Sequence, residues 1–233
     1  MKSNAKWVLF YCVFSLVFLF AVQWGSDTVE VISQVRVIQP KHTIILDAGH
    51  GGEDGGTISG SGRLESDYNL EITLRLQDML NLLGYHTALI RNTDTAVYTE
   101  GESLAQKKVS DLKERVRMVN EAENAILISI HQNHFSDKQY SGAQVFYPKT
   151  GESEIFAKQL QNAFVMNLNP GSRRQAKRSQ GIYLMEHINC TGILIECGFL
   201  SNIQEAYQLA SKPYQQKLCA IIATELSQFL SNT

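Results

Sequence analysis

The sequence predicts an α/β fold: a single domain with a mainly parallel or mixed central sheet flanked by helices. Three observations carry this reading. Short apolar runs such as TIILDA and AILISI end in glycine or polar residues, as buried strands do. Segments with apolar residues every three or four positions lie between them. The two kinds of segment alternate, as in strands joined through helices. The 233 residues are 44% apolar and 19% charged, which excludes a disordered chain and allows a sizeable core without disulfides. A net charge of −2 gives no electrostatic footprint for nucleic acid.

The elements follow in order. Trp7 to Trp24 (WVLFYCVFSLVFLFAVQW) is an apolar run that would span about 27 Å as a helix, close to a bilayer core. Lys2 and Lys6 precede it and tryptophan marks each end, the pattern of an N-in membrane segment. Residues 1–24 are therefore expected to be a membrane anchor, with a cleaved signal segment as the alternative, and the rest of the chain to be exported. Residues 25–42 read as a tether, in which VEVISQVRVI alternates like a short edge strand. Residues 43–233 are expected to form the catalytic domain.

TIILDA begins that domain as a buried strand. Ser66 is placed to cap a helix that carries Tyr68, Ile72, Leu76, Met79 and Leu83 on one face, with Gly84 as its stop. HTALIR is the next strand. A polar stretch, 92–110, leads to a helix marked by Leu112, Val116 and Val119. AILISI reads as a buried strand and GAQVFYP as a half-exposed one. Phe156, Leu160 and Phe164 mark a third helix, GIYLM and GILIEC two further strands, and Tyr214, Leu218, Ile222, Leu226 and Phe229 the closing helix. Of the four cysteines, Cys12 lies in the membrane segment and no CxxC occurs. The remaining Cys190, Cys197 and Cys219 cannot pair completely and are expected to be free thiols.

In open α/β sheets, ligands collect at the carboxyl ends of strands. Gly49-His50-Gly51-Gly52 follows TIILDA, His131-Gln132-Asn133 follows AILISI, and Glu196-Cys197-Gly198 follows GILI. Glu65 sits just before the first helix. Two imidazoles and one carboxylate are what a catalytic zinc requires, with a fourth position left open. His50, Glu65 and His131 are therefore assigned as metal ligands, and Glu196 as general base and acid. Each residue alone has a plainer reading. A single histidine at a strand end is most often a satisfied polar group, and Glu65 alone is a favourable charge at a helix N-terminus. A buried Glu196 needs a partner or a task. The conjunction is what carries the assignment. The glycine cluster does not match GxGxxG, no GK[ST] follows, and its acidic residues would repel phosphate, which argues against nucleotide binding. HExxH and GxSxG are absent.

Four blocks, LDAGHGGEDGG, LESDYNLEI, SIHQN and IECGFLSN, in this order and spacing, resemble the zinc-dependent N-acetylmuramoyl-L-alanine amidases of bacterial cell walls. The resemblance covers roughly residues 43–231. It implies zinc held by His50, Glu65 and His131, and a catalytic Glu196, the same positions reached from strand ends. It implies hydrolysis of the amide between the lactyl group of N-acetylmuramic acid and L-alanine in peptidoglycan. The membrane segment, the bare catalytic domain and QKKVSDLKERV most resemble the short sporulation amidases of that family. Those act with a deacetylase to make muramic-δ-lactam in the spore cortex. The location implied is the forespore intermembrane or cortex space, and the partner implied is the glycan strand; the N-terminal segment adds the membrane, and a bare domain without wall-binding modules is expected to use an accessory protein for placement or metal retention. The alternatives are a wall-binding domain that does not cut, and a zinc peptidase that cuts within the stem peptide.

His134 stands where the third block usually continues with a small residue, and is expected either to bind substrate or to face solvent. Arg173, Arg174, Lys177 and Arg178 form a basic cluster that reads as a solvated loop or a carboxylate-binding patch. Arg91 and Arg115 are candidates near the groove, Asn133 is a candidate to orient His131, and Glu100–Ser110 a candidate groove border or partner site. Cys197 reads as a packing thiol.

Overall fold

A computed structural model describes residues 41–232. The expected membrane segment and nearly all of the tether lie outside the described residues. No helix among the described residues is long and apolar enough to cross a membrane.

The element order is β1 (Thr43–Ala48), α1 (Glu65–Leu82), β2 (His86–Leu89), α2 (Leu104–Glu121), β3 (Ala125–Asn133), β4 (Gln144–Tyr147), α3 (Ser153–Asn167), β5 (Lys177–Arg178), α4 (Tyr183–His187), β6 (Thr191–Phe199), α5 (Ile203–Ala210) and α6 (Lys212–Ser231). The six strands form one sheet in the order β2-β1-β3-β6-β4-β5. Pairing is parallel except between β4 and β6, so the sheet is mixed.

The continuous apolar runs arise because both faces of the central strands are covered. Ile44, Leu46, Ile126, Ile128, Ile130, Ile193 and Ile195 face α1, α3 and α6, where they meet Ile72, Leu76, Phe156, Leu160, Leu218 and Ile222. Phe156 stacks on Phe229 with ring centroids 4.9 Å apart. The alternate residues Ile45, Leu127 and Leu194 face the other way and pack with Val119 of α2 and Leu184 and Met185 of α4. On β1, β3 and β6 that second face continues, two residues at a time, into Asp47, Ser129, His131 and Glu196. The thinner helical layer thus lies on the side that carries the polar residues. The thiols of Cys190, Cys197 and Cys219 are free.

Four local expectations are corrected. GIYLM is not a strand: Tyr183–His187 is helical, and Gly181 N–H bonds the Glu186 carboxylate at 2.6 Å. Its run of four apolar residues after a glycine suits either element, and the edge position beside β4 is taken by the two-residue β5, drawn from the basic cluster. Ser66 is not a cap. Leu64 occupies that position, Glu65 and Ser66 lie in the first turn, and their N–H groups bond Thr57 and Gly55 carbonyls at 2.8 and 3.1 Å. Leu83 lies beyond the helix and is exposed, while Gly84, at φ +87°, supplies the left-handed residue that ends it. The helix after the polar stretch begins earlier, at Leu104, where Ser103 and Gln106 form a reciprocal capping box. The short α5 was not anticipated.

Candidate active site

The site is built where β1 and β3 end. His50 has φ +61°, in the left-handed region that a residue with a Cβ adopts only at a cost. The surroundings hold it there. Gly51 and Asp54 exchange backbone hydrogen bonds of 2.8 and 3.2 Å across the turn. Arg115 of α2 donates to the His50 carbonyl at 2.8 Å and to the Ala48 carbonyl at 3.0 Å. Arg91 donates to the carbonyls of Ala48, Gly49 and Ser66 at 2.8, 3.0 and 3.0 Å. Both arginines are buried; Arg115 also lines the cleft beside His50, whereas Arg91 lies behind the loop.

Arg115 also pairs with buried Asp47, whose other oxygen accepts from Ser129 Oγ at 2.6 Å. Burial alone would raise the Asp47 carboxyl, but Arg115, His131 and Ser129 outweigh it and hold it below the ordinary carboxylate value.

Glu65, the first residue of α1, is buried. Its Oε2 accepts from Thr57 N at 3.1 Å, and its Oε1 from Gln132 N at 3.1 Å and Asn69 Nδ2 at 3.4 Å. The same Oε1 lies 3.3 Å from His50 Nε2 and 3.1 Å from His131 Nδ1. The two imidazole rings are 5.0 Å apart, edge to face. Burial opposes ionisation of Glu65, but the two histidines prevail and its carboxyl stays low.

Two glycines make this convergence sterically feasible. A Cβ on Gly49 would sit 2.2 Å from Cε1 and Nε2 of His131. One on Gly56 would sit 2.7 Å from Glu65 Oε2 and 2.8 Å from His50 Cδ2.

The donor set fits a small divalent cation. One donor atom from each of His50, Glu65 and His131 lies within 4.8 Å of the others. Ligand atoms at neighbouring corners of a tetrahedral zinc site are about 3.3 Å apart, given bond lengths near 2.0 Å. The observed separations of 3.3 and 3.1 Å match that edge. Asp54 Oδ2 lies 3.0 Å from His50 Nδ1. The Asp54 carboxyl is held low, first by His50, then by Lys108 and the Gly56 N–H against burial. As an ionised acceptor it requires the proton on Nδ1, which leaves Nε2 facing the centre. Burial works against charge on His50, yet Asp54 and Glu65 raise it to about 9. A cation would take the place of that Nε2 proton.

Glu196 stands beside this group. In the β3–β6 pairing it lies opposite His131. Its Oε2 is buried without a hydrogen-bond partner. Burial pushes its carboxyl up to about 7; Glu65 adds to the shift and His131 and His50 oppose it. His50, His131 and Glu196 share a cleft of about 330 Å³ with Lys108, Leu112 and Tyr183.

The fold thus brings together His50, Glu65 and His131, with Glu196 adjacent. His134 is exposed and faces a separate groove beside Phe135 and Tyr207. The basic cluster stays away from the cleft: Arg174 lies over the Phe199 ring and donates to the Ser141 carbonyl at 2.9 Å, while Lys177 and Arg178 form the exposed β5. Asn133 accepts from Leu200 N through its backbone carbonyl. Its neighbour Gln132 serves the site instead, donating its N–H to Glu65 and its side-chain amide to Asn69 Oδ1 at 3.2 Å. Asp54 and Asn69 were not anticipated, and of the stretch Glu100–Ser110, expected as a groove border, Lys108 lines the cleft. The signals were spacings: Asp54 follows His50 by four in a tight loop, and Asn69 follows Glu65 by four on one helix face.

Comparison with known proteins bears on the family and the fold. The family model for N-acetylmuramoyl-L-alanine amidases matches residues 44–228. The chain is 38% identical over 225 residues to the germination-specific N-acetylmuramoyl-L-alanine amidase of Bacillus subtilis, covering 95% of this chain and 93% of that relative. The structure of the CwlD amidase from Clostridioides difficile, solved in complex with the GerS lipoprotein, is similar with a TM-score of 0.78 and 36% identity, covering 82% of this chain and 99% of that one. An N-acetylmuramoyl-L-alanine amidase from Clostridium difficile 630 is similar with a TM-score of 0.70 and 27% identity, over 83% of this chain and 98% of that one. The sheet, the four motif blocks and the extent of these matches lead to one conclusion: the chain belongs to the N-acetylmuramoyl-L-alanine amidase family.

Proposed function

We propose that this enzyme is a zinc hydrolase in which His50, Glu65 and His131 hold the metal and Glu196 moves the proton. The bond cut is the amide joining the lactyl group of N-acetylmuramic acid to L-alanine in peptidoglycan. Two imidazoles and one carboxylate suit zinc better than magnesium or calcium, which prefer all-oxygen sites. Zinc, when bound, supplies Lewis acidity at the scissile carbonyl and makes water nucleophilic near neutral pH.

The chain's own groups supply the rest. Asp54 fixes the His50 ring and Arg115 holds the His50 backbone through its carbonyl. Asn69 and the Gln132 N–H fix the Glu65 carboxylate. Glu196 Oε2 takes a proton from the attacking water and delivers it to the departing L-alanine amine. The observation that carries this role is the buried, partnerless Glu196 oxygen beside His131.

The likeness to a germination-specific amidase supports action on spore cortex, where stem-peptide removal would precede muramic-δ-lactam formation. The CwlD relative solved with a lipoprotein supports an accessory protein partner. Action on a wall polymer supports a domain outside the cytoplasmic membrane, and the apolar run within residues 1–24 supports an anchor or signal there.

Product mass spectrometry of peptidoglycan treated with the zinc-loaded enzyme tests the reading. Intact muramic acid together with stem peptides bearing a free L-alanine amine is the expected result. Fragments cut within the stem would point to a peptidase, and no release with zinc present to a binding domain.

A further inference from the structure

Helix α2 touches the candidate metal centre without contributing a ligand. Lys108, Asp111 and Arg115 lie at positions i, i+3 and i+7, so they share one face. Arg115 holds the backbone of His50 through its carbonyl, at 2.8 Å. Asp111 ties the helix down by accepting from Arg115 Nε at 2.6 Å and from Val97 N at 2.7 Å. Lys108 reaches the other side of the same histidine. Its Nζ lies 2.9 Å from Asp54 Oδ1, and Asp54 Oδ2 lies 3.0 Å from His50 Nδ1.

We propose that Lys108 is a positioning residue for the metal centre, acting through Asp54 to aim His50 Nε2 at the ion. This inference rests on the zinc reading above. The physical need is specific. His50 sits in a strained backbone conformation that only its surroundings maintain. Asp54 is only half-buried, so its carboxylate can rotate unless both oxygens are engaged. Lys108 engages Oδ1 together with the more distant Gly56 N–H at 3.3 Å, which leaves Oδ2 for the imidazole. The neighbouring Lys107 pairs with Glu53 at 2.8 Å, so two successive lysines of α2 grip the loop that follows His50.

An exposed ion pair contributes little to overall stability. Its effect here is local, on the orientation of a metal ligand. Loss of a group that orients a ligand directly weakens metal binding about 10- to 100-fold, and Lys108 is one contact further out. The expected loss for Lys108→Met is therefore about three- to tenfold in zinc affinity, with little change in Tm.

The test is competition for zinc between a chromophoric chelator and the protein, for the parent enzyme, Lys108→Met, Lys108→Arg and, as a charge control, the exposed Lys113→Met. Lys108→Met should bind zinc more weakly, Lys108→Arg should recover most of the loss, and Lys113→Met should match the parent. The gap between parent and Lys108→Met should narrow at high ionic strength, where the half-exposed pair is screened. Equal zinc affinity for parent and Lys108→Met, with or without a raised KM, overturns the inference but leaves the zinc reading intact. A parent chain that binds no zinc overturns both.

Discussion

Glu196 and His131 lie side by side on paired strands, and the Glu196 carboxylate keeps one buried oxygen without a partner. A buried acceptor left unpaired is costly for folding alone. The pairing sets Glu196 beside His131 in the cleft that His50 also lines. Glu196→Gln should keep the shape and the metal but lose the proton relay. The expected fall in kcat is about 10²- to 10⁴-fold with zinc content unchanged. Near-normal turnover in this variant would remove Glu196 from the mechanism.

The same carboxylate makes a prediction about stability. Its folded pKa is raised by burial to about 7, against an unfolded value of about 4.3. A raised value means the favourable contribution of the neutral form is complete below about pH 4.3 and is lost as pH rises through about 7. In metal-free protein, Glu196→Gln should therefore gain Tm relative to the parent as pH is raised from 5 to 8. Thermal unfolding scans in chelator across that range decide it. A difference that does not grow with pH contradicts the burial argument.

Asp47 behaves in the opposite sense. Arg115, His131 and Ser129 hold its carboxyl low against burial, so its contribution is present above the unfolded value of about 3.9 and is lost as pH falls through the lower folded one. Asp47→Asn should be clearly less stable than the parent at pH 7, and the two should converge in acid. Arg115→Met strands a buried carboxylate and removes the grip on His50; it should cost about 3–5 kcal/mol by denaturant titration.

Gly49→Ala tests the packing of the centre. The added methyl would sit 2.2 Å from Cε1 and Nε2 of His131, so the ring must leave its observed position to admit it. The expected result is a folded protein with strongly reduced zinc binding and activity, read by metal analysis and circular dichroism together. Full zinc occupancy in the variant would show that His131 can bind from another position.

Much of this architecture was legible in the sequence because burial on both sheet faces leaves continuous apolar runs, and TIILDA, AILISI and GILIEC became β1, β3 and β6. Their carboxyl ends named His50, His131 and Glu196. GIYLM misled because four apolar residues after a glycine carry no usable period, and α4 uses two of them, Leu184 and Met185, to cover the sheet. The role of Lys108 was hidden because it depends on where α2 crosses the loop after β1, which local pattern does not encode, and Asp54 was signalled only by its spacing of four from His50. His134 and the basic cluster stood out by residue type alone, and the fold turns them toward other surfaces.

Anomalous diffraction at the zinc edge from crystals of the purified enzyme tests the central claim most directly. The account predicts one strong peak bonded to His50 Nε2, Glu65 Oε1 and His131 Nδ1, with a fourth position open to the cleft beside Glu196. A zinc-loaded protein with no peak there, or with its metal bound by other residues, would contradict it.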